Sequence, residues 1–444
     1  MNITDSFVET LYTLHSRPMT DELRAQARFC LLDEVACILA GIELQRDKLN
    51  KYLDFFSGDE ATVFGLERKA SLQNAALANA MIGHVCDLDD GHRFSTVHLG
   101  STTIPALLAV AEKENLDMED VLRGIVIGYE TGIRLGRCVQ PALRARGFHS
   151  TGVCGTIGAA MAIASALNFT KDEFKAALSA AATSAAGLNE MMENVSTLKP
   201  YNAGRACHDG ITAAYIAKAG FQPPYDAMWG KFGFLHTACE TFDEEVLTLE
   251  FDDGYNIFGG YHKPYAACRH VHASVYGAVK AAELCDAKWN EISDIYISMY
   301  GQGIKGHDHT EIPSTVAGKM SGPFSVALCL KTGDAGVRSY TEENIHDEDI
   351  LALTKKVRIE ENPEFTALVP SKRAAEVTVS TYDGRKGTYK VDYAPGEPEL
   401  PLTTGDICDK LRGNSPFAPE LNDRIIDTVL NFDGKAQVLV DLLK

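Results

Sequence analysis

Residues 84 to 100 read HVCDLDDGHRFSTVHLG and hold three histidines, three aspartates and one arginine. Imidazoles and carboxylates packed so closely can bind a metal ion or move protons. The stretch has neither the HExxH zinc spacing nor the alternating acidic pattern of a calcium loop, so it is not read as a metal site. Acid–base chemistry is the functional reading, and a polar surface loop is the plain alternative. His84, Asp87 and Gly91 would lie near one another if a helix continued that far.

Three further stretches could share that chemistry. RARGFHSTGVCGTIG places His149 before a Gly-rich helix entry, where anions are favoured. A capping or core histidine is the structural alternative there. TLKPYNAGRACHDG carries Lys199 before a proline, with Arg205 and His208 close behind. GGYHKPYAACRHVH repeats the Lys-Pro pair at Lys263, followed by Arg269, His270 and His272. Each lysine alone could be an exposed loop residue. GHDHTEIP, residues 306 to 313, resembles a metal site but lacks a third suitably spaced ligand, and it is read as a solvated loop. Histidines with an aspartate can transfer protons. Two lysines and an arginine can hold carboxylates. No phosphate loop, dinucleotide fingerprint or Ser/Cys nucleophile motif is present. The sum points to proton abstraction beside a carboxylate, with the lysines stabilising charge on the carboxylate oxygens and with neither cofactor nor metal.

The composition sets the frame. A net charge of −19 disfavours nucleic acid and anionic membranes as partners. An anionic substrate would therefore need a local cluster of cations. Eleven cysteines without CxxC pairs, mostly inside apolar runs, read as reduced thiols. With no signal-peptide pattern and no apolar run of membrane-spanning length, a cytoplasmic protein is expected.

The elements that must position these residues fall into two styles. DELRAQARFCLLDEVACILAG has helical spacing and is predicted to stop at Gly41. ASLQNAALANAMIGHVCDLDD is predicted as a helix running into the polar stretch. Asp117 with Asp120, and Thr170 with Glu173, mark two further helix starts. GTIGAAMAIASAL, built from small residues, predicts a closely packed central helix. After about residue 265 the pattern alternates: EISDIYISMYG and VRIEENPEF predict strands, and RAAEVTVSTYDGRKGTYKVDYA predicts a hairpin. APGEPELPL marks a boundary before helical spacing returns. The fold class expected is mostly α. A large all-helical domain, 1–264 and 396–444, is made by both chain ends, and a smaller α+β domain, 265–395, is inserted.

The four polar stretches, in their order, resemble the motifs of the MmgE/PrpD family, which includes 2-methylcitrate dehydratase, cis-aconitate decarboxylase and iminodisuccinate epimerase. The likeness covers essentially the whole chain. It implies a helical domain with a smaller α+β lid, a homodimer, and a cofactor-free active site. By motif, the site members it implies are Asp87, His98, His149, Lys199 and Lys263. Lys199 and Lys263 would hold carboxylates, with Arg269 as a helper. His98 would be the acid–base group, oriented by Asp87 or sharing a proton with it, and His149 a second proton carrier. Two hydroxyls of the decarboxylase-like members are missing, since Gly91 stands for Thr and Phe324 for Tyr, and the gap from Asp87 to His98 is one residue longer. That shifts the expectation away from cis-aconitate decarboxylation. Dehydration of a 2-methylcitrate-like hydroxy acid comes first, and epimerisation of an iminodisuccinate-like dicarboxylate second. A carboxylate-binding paralogue without catalysis is the non-enzymatic alternative.

Overall fold

The computed structural model describes residues 2–192, 196–249 and 255–444. It is mostly helical, with one four-stranded sheet and one two-stranded sheet among the described residues. The chain divides into two compact units. The first comprises Met1–Val85, Asp89–Gly260 and Thr403–Lys444; the second comprises Cys86–Leu88 and Tyr261–Leu402.

In the first unit, α1 (Asp21–Leu53) starts at Thr20, whose hydroxyl accepts from the Leu23 amide at 3.2 Å. The helix does not stop at Gly41, as its sequence suggests, but runs twelve residues further. Gly41 serves close packing instead: a Cβ there would lie 2.0 Å from the carbonyl oxygen of Ile82 in α2 (Leu72–His84). Between these two helices lies a short hairpin, β1 (Ala61–Val63) with β2 (Arg68–Ala70), that the sequence pattern does not announce.

α3 (Gly100–Glu114) and α4 (Met118–Val139) follow, and Asp117 with Asp120 forms a capping box at the start of α4. α5 (Ser150–Ala166) is the centre of the unit, and all seventeen of its residues are buried. Its small side chains let neighbours approach closely; a Cβ on Gly128 of α4 would lie 2.9 Å from the Cβ of Ala162. α6 (Lys171–Ser184) opens with the Thr170–Glu173 capping box, and α7 (Lys199–Lys218) packs on α5 and α2.

In the second unit, the strands β3 (Ile292–Met299), β4 (Val357–Glu361), β5 (Ala375–Thr381) and β6 (Lys386–Val391) lie in the order β4-β3-β5-β6. β3 and β4 are parallel, and the other pairs are antiparallel. The alternation of β5 buries Ala375, Val377, Val379 and Thr381 on one face. α8 (His272–Leu284) covers β5 and β6, and α9 (Gly322–Thr332) packs on α8. α10 (Thr404–Asn414) and α11 (Pro419–Asn431) return the chain to the first unit. No helix among the described residues is long and apolar enough to cross a membrane.

Candidate active site

α2 ends at His84, and α3 begins at Gly100. The helix therefore stops at the first residue of the polar stretch, and residues 85–99 form the loop between them. Asp90 pins this loop to the next helix. Its Oδ1 accepts from the backbone amides of Leu99 (3.1 Å) and Gly100 (2.9 Å), and its Oδ2 from the Tyr129 hydroxyl (2.6 Å). A carboxylate at the first amides of a helix satisfies donors that would otherwise be orphaned.

With Asp90 fixed, its backbone carbonyl lies 2.6 Å from His98 Nδ1. A carbonyl only accepts, so Nδ1 carries the proton and Nε2 of the neutral ring is bare. Asp89 stands beside it. Asp89 Oδ2 lies 2.7 Å from His84 Nδ1 and 3.3 Å from His98 Nδ1, and it accepts from the Ser101 hydroxyl at 3.0 Å. Burial alone would raise the Asp89 carboxyl, but the His84 and His98 imidazoles outweigh it and hold the group well below the usual carboxylate range. One carboxylate thus serves two imidazoles, whose rings meet edge-on at 4.9 Å.

His149 precedes α5, and its amide donates to the Gly187 carbonyl at 3.0 Å. Its ring lies 6.5 Å from that of His84. Burial, with the Lys199 and Arg144 cations nearby, holds the imidazole well below its ordinary range, so it is neutral near pH 7. Asn202, on α7, reaches His149 Nδ1 with its amide nitrogen at 3.0 Å. Lys199 starts the same helix and is half-buried.

In the second unit, Lys263 is almost fully buried, donates to the Asp87 carbonyl at 2.9 Å, and lies 3.9 Å from the Asp87 carboxylate. Lys319 donates to the Cys86 carbonyl at 3.4 Å. The guanidinium of Arg269 is engaged within this unit. It donates to Glu397 through Nε (3.1 Å) and Nη2 (2.9 Å), to the carbonyls of Ala394 and Pro395, and lies 2.9 Å from His272 Nδ1. That geometry gives Arg269 a structural task. The histidines of GHDHTEIP are not solvated as their sequence suggests: His307 is buried with Nε2 3.1 Å from Cys268 Sγ, and His309 Nε2 lies 3.1 Å from the Ala317 carbonyl.

The residues brought together in the first unit are therefore His98 and His149, joined by His84, Asp89 and Asn202. Asp89, which the family likeness does not single out, places its carboxylate 3.3 Å from His98 Nδ1. The spacing of DLDDG gave no way to choose among its aspartates, because Asp87 sits in a left-handed turn (φ 54°) that breaks any helical register. Asn202 carried no signal in the sequence at all. His84, Asp89 and His98 also present ligand-type atoms within 4.8 Å of one another, a grouping that could hold a metal ion. The Nδ1 atoms facing Asp89 are committed to hydrogen bonds, so a metal ligated through them would have to displace both protons. A separate cavity of about 460 Å³ is lined mainly by apolar residues such as Leu143, Phe148 and Phe234 and holds none of these groups.

Known proteins match the chain along nearly its whole length. A family model described as the MmgE/PrpD N-terminal domain matches residues 5–246, and one described as the MmgE/PrpD C-terminal domain matches residues 265–433. A cis-aconitate decarboxylase of Aspergillus terreus is 24% identical over 481 residues, covering 99% of this chain and 96% of that protein. The cis-aconitate decarboxylase of Homo sapiens is 25% identical, covering 100% and 95%. A cis-aconitate decarboxylase-like protein, oryM of Aspergillus oryzae, is 24% identical, covering 98% and 96%.

Proposed function

The chain belongs to the MmgE/PrpD family, and from that premise we propose that it is a lyase acting without cofactor on a small di- or tricarboxylate. The reaction put first is dehydration of a 2-methylcitrate-like hydroxy acid. The observation that carries it is the buried set in which Asp89 is shared by His84 and His98, with the neutral His149 beside them. Such a set can take a proton from the carbon beside a carboxylate and return one to a departing hydroxyl. Carbon–hydrogen and carbon–oxygen bonds break, a double bond forms, and water leaves. Lys199 and Lys263 are assigned to substrate carboxylates. Charge-assisted hydrogen bonds of this kind contribute roughly 1.5–3 kcal/mol each. Arg269, its donors already engaged, is left out of the substrate set.

Decarboxylation of a cis-aconitate-like acid is the second reading, favoured by the activity named for the relatives. Against it stand Gly91, which offers no hydroxyl, and Phe324, a fully buried phenyl ring. Incubation with a panel of di- and tricarboxylates separates the readings. Dehydration yields an unsaturated acid with new ultraviolet absorbance and vinylic or allylic proton signals. Decarboxylation releases carbon dioxide. Epimerisation changes optical rotation with no new chromophore. Tight binding with no turnover of any member would leave only the non-catalytic paralogue. Turnover that disappears on chelation and returns with a divalent metal would contradict the cofactor-free reading.

A further inference from the structure

We propose that His98 and His149 are held in opposite tautomers, so that His98 is the proton acceptor and His149 the proton donor, with Asn202 the positioning residue that makes His149 a donor. The inference rests on the acid–base reading above and divides its two steps between the two rings.

The tautomer of His98 follows from its neighbours. Nδ1 faces the Asp90 carbonyl at 2.6 Å and the Asp89 carboxylate at 3.3 Å. Both groups accept, so the proton sits on Nδ1. Nε2 of the neutral ring then has a lone pair and no proton. It can only take one, and the imidazolium that results faces the Asp89 carboxylate.

The tautomer of His149 follows from Asn202. The side-chain amide of Asn202 could in principle point either way, and its neighbours decide. Nδ2 lies 3.3 Å from the Leu188 carbonyl, an acceptor only, so that corner of the amide must be the NH₂. The same nitrogen lies 3.0 Å from His149 Nδ1. A donor there requires Nδ1 to accept, which places the proton of the neutral ring on Nε2. Asn202 is itself buried, and α7 holds it beside the Gly187–Leu188 segment to which the His149 backbone is tied. The other groups that face His149 electrostatically, His84, Lys199, His98 and Arg144, all disfavour a second proton on it. It therefore meets substrate as a neutral imidazole with an Nε2–H to give.

The elimination then balances. His98 Nε2 takes the carbon-bound proton and becomes an imidazolium, the electron pair forms the double bond, and His149 Nε2–H protonates the departing hydroxide as water, which leaves His149 an imidazolate facing the Lys199 and Arg144 cations. The two rings later exchange the proton through solvent. A donor that is neutral imidazole has no titration between about pH 6 and 9, whereas an imidazolium donor would.

Nitrogen-15 NMR of the histidine-labelled protein tests this without substrate. The expected spectrum of the free wild type near pH 7.5 shows a protonated Nδ1 on His98 and a protonated Nε2 on His149, assigned by loss of signals in His98→Gln and His149→Gln. In Asn202→Asp the carboxylate accepts from Nδ1, so the His149 proton moves to Nδ1. Product formation on a turned-over panel member then falls by about two to four orders of magnitude in kcat with KM little changed. A wild-type spectrum with His149 protonated on Nδ1, or with both rings in the same tautomer, overturns the proposal, as does an Asn202→Asp enzyme whose kcat stays within about threefold of wild type. Failure of every panel member to turn over would sink the proposed reaction while the spectra still decided the tautomers. If Asn202→Asp does not fold, the wild-type spectrum alone is decisive.

Discussion

Two acceptors hold one ring nitrogen of His98, and one of them is removable by mutation. In Asp89→Asn the amide can present a donor to His98 or His84 where both rings now need an acceptor. The expected result is a fall of about two to four orders of magnitude in kcat with substrate affinity nearly retained, checked by steady-state kinetics beside a thermal unfolding curve. The two lysines should also part company. Lys199 starts a helix and is half-buried, so Lys199→Ala should lower kcat/KM about ten- to a hundredfold with unchanged melting temperature. Lys263 is 1% exposed and tied to Asp87, so Lys263→Ala should lower kcat/KM similarly and also cost about 1–3 kcal/mol of stability. His98 and His149, which the structure sets around His84, were legible because an imidazole names its own chemistry. The place of Asp89 beside His98 was not, because it depends on the path of a loop with left-handed residues at Asp87 and Thr96. Asn202 was not legible because its role exists only once α7 lies against the Gly187–Leu188 segment.

At the scale of elements, the pairing of the two chain ends has a specific fastener. Lys410 of α10 donates to Asp33 of α1 at 2.6 Å, and both side chains are buried. Asp33 and its buried neighbour Cys37 push the Lys410 ammonium above its ordinary range despite the burial that opposes charge. Lys410→Met should destabilise the protein by about 3–5 kcal/mol, because it strands a buried carboxylate. The double variant Asp33→Leu with Lys410→Met should recover most of that loss; denaturant melts of all three proteins decide it. Capping boxes at Asp117 and Thr170 and the strand alternation of β3 and β5 were readable, because local hydrogen bonds and face alternation write directly into sequence. Gly41 misled. A glycine signals either a helix end or a close approach, and only the position of Ile82 distinguishes them. The β1–β2 hairpin escaped notice because three-residue strands are too short to show a period.

At the scale of the whole molecule, acid should act in two stages. His149 and His272 are both held well below 6.5, chiefly by burial, so the unfolded chain binds protons that the native state refuses. A depressed folded pKa means this stability is complete above about pH 6.5 and falls as pH drops below it. His149→Gln should flatten that first stage of the melting temperature against pH. Asp89, also depressed, contributes above about pH 4, and its share is lost only as pH falls through its lower folded value. With a net charge of −19, the chain has no general attraction for an anionic acid, so local groups must supply it. The most direct test of the central assignment is proton NMR of hydroxy-tricarboxylates in D₂O with wild type and His98→Ala. The expected result is deuterium entering at the carbon beside a carboxylate, or proton loss there with an unsaturated product, in the wild type, slowed by about two to four orders of magnitude in His98→Ala. A folded His98→Ala protein that exchanges or eliminates that proton at the wild-type rate would contradict it.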